Sequence, residues 1–583
     1  MRRLLPPLRR AGALAAVAVG LAIAVAALPW LNGEDPALSV LRARMPTREP
    51  DPAALAAVRS ELDLAADPVH GAAGWLAGAV GGDLGRSWVN GTPVRESLAA
   101  AVGVSAGLAA AACAAAVAVA LVLVMPMAWA ASGERRASRA GARVVSAAVA
   151  AVPEFVLATV LLTVVAVRWR LAPTAGWVGP SYVVLPALAL GVPTGGLLAR
   201  LIGTAVDGVA AEPWVRTWLA TGCGRVVLLR AILRRAVVVA VPQVAVLFVA
   251  QLGSAVVVEN LFAVPGLGRL ALQATLAQDL PLVQGCVLVL ILAGVLVGAA
   301  GIAAHRGLLG PAGPAAGLVP AVPAGHRTGW APPAIVGAVL TTAILAGLPR
   351  DPHTVRLDQR LTGPSWDHPM GTDPVGRDLL ALFGHGALLT IGTAALVTAA
   401  ALVIGVAVGL RGAVARVGTA DVLLALPPIL VGLIMAALFG TGLSAAAAAA
   451  ALVTWVPLSI HARNLADEAR ASGYHQAAVL AGAGTGWLLR RHLVPAVIGP
   501  VLVNALTRVP STALTIAALG FLGVGASHDS PEWGAQLAAA LAYLERAPLG
   551  VLAPVLGLAL LGVLAGYATP EAGRRAPVAG LLR

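Results

Sequence analysis

Apolar runs of roughly twenty residues, nearly free of charge, recur along the whole chain, and they limit its fold more than any other feature. A run of that length crosses the hydrocarbon core of a bilayer as one α-helix. Such runs lie near 11–31, 102–131, 142–167, 182–205, 236–259 and 282–304, then near 332–348, 385–411, 418–439, 443–460, 496–520 and 548–568. The 439–460 region is rich in alanine, the least apolar of these side chains. Of all residues 59% are hydrophobic and 11% charged, against about 25% charged in soluble domains. The expectation is an all-α polytopic membrane protein with about twelve transmembrane helices.

A Pro/Gly-rich stretch, 306–331, separates the runs into two sets of six, as a semi-extended cytoplasmic linker would. Two six-helix halves are therefore expected, 1–305 and 332–583. The formal charge of +13 suggests nucleic acid at first sight. The arginines instead cluster in short loops between apolar runs: at 2–10, 132–143, 206–235 and 461–495. The alternate loops, 32–97 and 350–384, carry at least as many acids as arginines. The positive-inside rule then puts both termini and the four basic segments in the cytoplasm, and no nucleic-acid partner is implied. The first apolar run follows a basic start, as a signal peptide does, but its length suits a retained first helix. There is no lysine, so the chain has no ordinary Walker A nucleotide site. Cys113, Cys223 and Cys286 are scattered, with no disulfide or zinc spacing. No catalytic residue, cofactor or metal site is expected.

The halves echo one another. Each has a long cytoplasmic loop before its fifth run: EPWVRTWLATGCGRVVLLRAILRRA (212–236) and YHQAAVLAGAGTGWLLRRHLVPA (474–496). Gly222 aligns with Gly482 at a separation of 260. Beyond the fifth run stand VENLFAVPGLGRL (258–270) and AALGFLGVGAS (517–527), where aligning Gly266 with Gly523 gives 257. Paired halves with matching loops describe a transporter built on a pseudo-twofold axis. In each loop a glycine free to take positive φ ends a short helix, and small residues beside it permit close approach of another surface.

The second loop reads Gln476-Ala477-Ala478, three residues, Gly482, nine residues, His492-Leu-Val-Pro495. It resembles the EAA loop of ABC-transporter permeases, E-A-A-x3-G-x9-I-x-L-P, with Gln for Glu and His for Ile. In the first half Arg216, Thr217 and Trp218 stand at E-A-A, Gly222 and Ile232 fit, and Arg235 replaces the proline. GDLGRSWVNGTPV (82–94), LPALALGVP (185–193) and DLPLVQG (279–285) resemble the first permease subunit of the dipeptide/oligopeptide/nickel type. HPMGTDPVGRDLL (368–380), DVLLALPPIL (421–430) and GFLGVGASHDSPEWG (520–534) resemble the second. The resemblance covers nearly the whole chain and joins two normally separate subunits in one polypeptide. It implies a type I ABC importer permease for peptides or a similar solute such as a nickel chelate, in a bacterial cytoplasmic membrane. Two cytoplasmic ABC ATPase domains would engage Arg216, Thr217, Gly222 and Ile232 in one loop and Gln476, Ala477, Ala478, Gly482 and Pro495 in the other. An extracellular substrate-binding protein would dock on an outer surface shaped by Trp88, Asp373, Arg377 and Trp533. Tight turns beside helix ends are the other reading of those four positions.

Glu154 and Arg508 are charges at membrane depth, which cost on the order of 3 kcal/mol or more and ordinarily face a cavity or a partner. They are candidates to line the pathway and to pair across the halves; each could instead satisfy kinked backbone beside Pro153 or Pro510. His368 and His385 are isolated and read as structural. A competing class is a twelve-helix ion-coupled secondary transporter. Such a carrier places several ionisable groups in its helices, which are few here, and has no use for glycine-broken cytoplasmic loops. A membrane scaffold that couples to an ATPase without transport is the third reading.

Overall fold

The computed structural model describes residues 51–62, 67–132, 137–309, 331–411, 427–527 and 529–568, with short stretches between 20 and 41. Most of the first apolar run, the 310–330 part of the linker, loop residues 133–136, residues 412–426 and the chain beyond 568 lie outside the described residues. Within them the regular structure is helical, apart from two isolated β-bridges. In the first half the helices are α1 (Pro52–Leu62), α2 (Pro68–Val80), α3 (Val94–Ala131), α4 (Ala137–Ala151), α5 (Glu154–Leu161, continued to Arg168 with π-helical geometry), α6 (Pro180–Ala210), α7 (Pro213–Ala220), α8 (Arg225–Leu261), α9 (Leu267–Leu276) and α10 (Leu280–Leu309). In the second they are α11 (Ala331–Gly347), α12 (Leu379–Leu410), α13 (Pro428–Phe439), α14 (Leu443–Ala471), α15 (Gly473–Leu480), α16 (Thr485–Leu488), α17 (Val494–Phe521), α18 (Trp533–Leu541) and α19 (Pro548–Ala568). A π-helical segment, Leu489–Leu493, joins α16 to α17.

Seven described helices are long and apolar enough to cross a membrane: Val94–Ala131, Pro180–Ala210, Gln243–Leu261, Leu280–His305, Leu379–Leu410, Leu443–Ala471 and Thr485–Phe521. The third run, expected as a span over 142–167, is instead two helices bent by 84°, and together they make an eighth candidate. The break falls at Pro153, which is extended (φ −65°, ψ 144°) and has no N–H to continue a helix. In the second half α13 starts at Pro428 behind an extended Pro427 (φ −59°, ψ 133°), and the part of that third run before 427 lies outside the described residues. Residues 333–347, 428–439 and 548–564 form shorter apolar helices. The alanine-rich 439–460 region belongs to a 29-residue helix.

Lipid tails are as apolar as leucine, so helices in a bilayer associate through close packing more than through burial from water. Small residues provide that packing in both halves. In α6, a Cβ on Gly191 or Gly195 would stand 2.7 Å from the carbonyl oxygen of Ala112 or Ala116 in α3. In α12, a Cβ on Gly409 would stand 2.8 Å from the Ser459 carbonyl of α14, and one on Gly405 3.1 Å from that of Trp455. Both pairs are spaced four apart, so one helix face meets the neighbouring backbone twice. The halves also interlock through their broken segments. α13 packs against α8, α9 and α10 of the first half, and α4 packs against α19 of the second. At this seam a Cβ on Gly253 would fall 2.3 Å from Pro427, and the Phe155 and Phe521 rings lie 6.2 Å apart.

Substituting Gly195 by valine should therefore force α3 and α6 apart and cost about 1–3 kcal/mol. Thermal unfolding in detergent should show a lowered midpoint, whereas Gly298→Ala, where a Cβ meets nothing within 4 Å, should not move it.

Candidate functional site: two glycine-ended knobs

α7 and α15 are eight-residue helices at the same end of the molecule as the C-termini of α3 and α12. Each ends in a Schellman motif, and the two motifs match residue for residue at a separation of 260. Gly222 N–H donates to Leu219 O (3.2 Å) and Cys223 N–H to Trp218 O (3.0 Å); Gly482 N–H donates to Val479 O (3.0 Å) and Ala483 N–H to Ala478 O (3.0 Å). Gly222 and Gly482 have φ of +75° and +84°. Only glycine takes this conformation at little cost, which is why the turn needs it. A Cβ at either position would meet nothing within 4 Å, so the turns are open.

The outer side of each knob is exposed and partly apolar. Arg216, Thr217, Trp218 and Leu219 are exposed in the first; Gln476, Ala477, Val479 and Leu480 in the second, Leu480 at 89%. Ala478 is half-buried, and Pro495 lies exposed at the start of α17. Apolar side chains raised on a polar loop mark a surface that another body covers.

The inner side differs between the halves. Val215 is buried and packs with Leu228 and Ile232. At a separation of 260 the counterparts of Val215 and Ile232 are His475 and His492. These two imidazoles stand edge to face, 5.5 Å apart, and Tyr474 and Trp487 flank His492 at 5.0 and 5.1 Å. Neither Nδ1 has a hydrogen-bond partner among the described residues. The first knob is braced differently. Arg235, which replaces the loop's proline, reaches back to Glu212 (Nε to Oε1, 3.0 Å), and the Trp214 indole N–H donates to the same carboxylate (2.8 Å). Each loop is also tied to the second span of its half by an arginine. Arg225 donates to Trp129 O (2.7 Å) with its guanidinium 4.1 Å from the indole centroid, and Arg470 donates to Leu410 O (2.7 Å).

The spanning helices after the knobs end alike. Val264 N–H bonds Glu259 O and Val524 N–H bonds Leu519 O, both at a separation of 260. The alignment of Gly266 with Gly523 is therefore corrected: Gly523 (φ +76°) corresponds to Ala263, which holds φ +50° without being glycine.

On the opposite face each half has a small hairpin before its second span, with bridges Arg86–Pro93 and Thr372–Asp378. The four residues expected to shape a docking surface sit inward. Trp88 is 5% exposed, and its N–H donates to Asp279 (3.0 Å). Asp373 is 6% exposed and binds Arg377 Nε (2.6 Å). Trp533 is fully buried, stacks on Phe383 and donates to its carbonyl (3.0 Å). Trp88, Asp373 and Trp533 thus lie beneath the turns of this face, on which Trp366 is fully exposed. His368 bridges Asp378 (3.2 Å) and Gln359 (3.0 Å), and His385 meets the Leu348 and Arg350 carbonyls. In the same loop the Thr354 hydroxyl, then the His353 N–H, hold the Asp351 carboxyl below its usual range. Glu154 and Arg508 are not brought together. Arg508 Nε donates to Asn504 Oδ1 (3.0 Å) four residues back. No cluster of three metal-ligating side chains occurs among the described residues.

The His475–His492 joint was legible in outline, since the 260 separation lays it on an apolar pair. A single His492→Ile change removes one of the two unpartnered buried Nδ1 atoms, each of which costs about 1–3 kcal/mol, and should raise stability. The double change His475→Val with His492→Ile rebuilds the first-half pair and should raise it further, read by thermal unfolding in detergent.

Two segments, residues 120–308 and 401–569, match the model of the family described as binding-protein-dependent transport system inner membrane component. Relatives include the di/tripeptide transport system permease protein DppC of Pseudomonas aeruginosa (strain UCBPP-PA14), 37% identical over 37% of this chain and 76% of its own length. The dipeptide transport system permease protein DppC of Alkalihalophilus pseudofirmus is 31% identical over 36% of this chain and 70% of its own. The nickel transport system permease protein NikC of Escherichia coli (strain K12) is 33% identical over 36% of this chain and 79% of its own. Each relative thus matches about one half's worth of sequence. With a family match in each half, the chain belongs to the binding-protein-dependent transport system inner membrane components and is a multi-pass inner membrane permease carrying that domain twice in one polypeptide.

Proposed function

We propose that the two halves form one substrate pathway of an ABC importer, each contributing six membrane segments, about twelve in all, with both termini and both knobs in the cytoplasm. The domain boundaries follow the sequence: 1–305, a linker over 306–331, and 332–583. The two knobs engage two ATPase domains, and a substrate-binding protein delivers cargo to the opposite face. Peptides are the favoured cargo class, and nickel chelates a related one, because relatives named for both are similar to this chain.

The observation that carries this reading is the pair of identical Schellman turns, 260 residues apart, each raising apolar side chains on an arginine-rich face. A secondary carrier has no role for two such turns. ATP-driven closure of two docked ATPases would move both knobs together, and each knob runs directly into its pathway helix, α8 or α16–α17. Arg216, Thr217, Gly222 and Ile232 form the first contact region with its support, and Gln476, Ala477, Ala478, Gly482 and Pro495 the second. Glu154 and Arg508 are read as separate pathway-facing groups. Trp88, Asp373, Arg377 and Trp533 serve the binding protein by holding the outer turns in shape.

The test is co-purification of an ATPase with the tagged protein in detergent. Gly222→Glu and Gly482→Glu should each weaken capture, because a side chain at φ near +80° strains the turn by about 1–3 kcal/mol and adds bulk and charge to the docking surface. Wild-type levels of ATPase on both variants would remove the knobs from the mechanism.

A further inference from the structure

The short helices α9 and α18 follow the pathway helices of the two halves, and the N-terminus of each is plugged by a buried carboxylate. In the first half Glu259, 1% exposed, receives the Gly268 and Arg269 N–H groups on Oε2 (2.7 and 3.1 Å) and the Ser105 hydroxyl on Oε1 (2.6 Å). Ser105 in turn accepts the Leu267 N–H (2.7 Å). In the second half Glu532, 0% exposed, receives the Ala535 N–H on Oε2 (2.9 Å) and the Thr390 hydroxyl on Oε1 (3.1 Å). Thr390 accepts the Trp533 N–H (3.2 Å). Ser105 and Thr390 hold the same register of α3 and α12, whose first residues Val94 and Leu379 are likewise 285 apart.

The two networks match, yet their carboxylates come from opposite walls. Glu259 lies in the last turn of α8, whereas Glu532 is the N-cap of α18. A Cβ on Gly266, the N-cap of α9 as Glu532 is of α18, would sit 2.4 Å from the Glu259 carboxyl carbon. At the separation of 260 the counterpart of Glu259 is Leu519, and beside it a Cβ on Gly520, in the last turn of α17, would sit 2.1 Å from Glu532 Oε2. The carboxylate moves from the helix end to the N-cap of the short helix, a glycine on the facing wall leaves room for it, and the carboxylate in the pocket is what persists. Free N–H groups and the helix dipole at a helix start favour such a charge, and a charged acceptor makes the stronger hydrogen bond.

In the first half the pocket hydrogen-bonds three bodies together, the outer end of a pathway helix, the short helix after it and the second span; in the second half the carboxylate bonds the short helix and the second span and packs against Gly520 at the end of the pathway helix. The inner end of the same pathway helix begins at the knob. We propose that Glu259 and Glu532 are positioning residues that clamp these bodies into one unit per half, so that motion imposed at a knob reaches the outer mouth of the pathway. In the first half the lever is α8, 37 residues or about 55 Å long. This rests on the importer reading above.

The test uses the full chain reconstituted in vesicles with its ATPases and binding protein, and measures substrate transported per ATP hydrolysed. Glu259→Ala should lower that ratio at least about tenfold while hydrolysis stays within about twofold, because two buried N–H groups lose their acceptor and the outer end detaches. Moving the carboxylate to the second-half arrangement, Glu259→Gly with Gly266→Glu, should restore the ratio. If Glu259→Ala does not accumulate, Ser105→Ala, which keeps the carboxylate and removes the two bonds of the hydroxyl, is measured in its place and should lower the ratio in the same sense. Transport and hydrolysis falling in proportion, or a double variant no better than Glu259→Ala, would overturn the clamp. A wild-type complex with no ATP-dependent transport would instead overturn the importer reading on which it rests.

Discussion

A bilayer offers no partner to a free backbone N–H or C=O, and this structure depends on how it meets that constraint wherever a helix breaks. Continuous helices need no help. The places where function is expected are discontinuous: the third segment of each half, and the junction between each pathway helix and the short helix after it. At Pro153 the residue that interrupts the helix has no N–H to satisfy, and α13 likewise starts behind a proline, Pro427. At α9 and α18 the free N–H groups are met by a glutamate close in sequence and by a hydroxyl from the distant second span. α13 packs on α8, α9 and α10 of the first half as well as on α14 of its own, and α4 on α19 as well as on α3 and α6, so the third segments help to build the seam between halves.

The halves keep one backbone path with different side chains. A Schellman turn ends each knob, yet the helix behind it is seated by Val215 and Ile232 in one half and by His475 and His492 in the other. Arg235 replaces Pro495 and gains a partner in Glu212, so a loop without proline's rigidity is braced by an ion pair of 3.0 Å. Ala263 takes the positive φ that Gly523 provides opposite. In each case the geometry persists while another residue supplies the energy, which is why the first loop looks degenerate as sequence and regular as structure.

Local features were legible. Glycine at a helix end has a direct conformational meaning, so Gly222 and Gly482 marked the knobs without coordinates. Features that depend on side-chain direction were not. Trp88, Asp373 and Trp533 lie in turn-rich segments that suggest exposure, but such turns need buried anchors, and these residues are the anchors. Glu154 and Arg508 share a membrane depth by count, yet they form no ion pair with one another, and Arg508 finds a neutral partner in Asn504 one turn back.

Apolar run length, arginine placement and the repeat at a separation of 260 were enough to determine a membrane protein of two related halves with a glycine-ended loop in each. They act over one helix length or less, or as a comparison of the chain with itself. Which hydroxyl meets each buried carboxylate, which third segment packs across the seam as well as within its own half and which aromatic faces inward were decided only by tertiary structure. Those contacts join residues more than a hundred positions apart, as Ser105 does with Glu259 and Thr390 with Glu532, and no local pattern encodes the direction in which a side chain finds its partner.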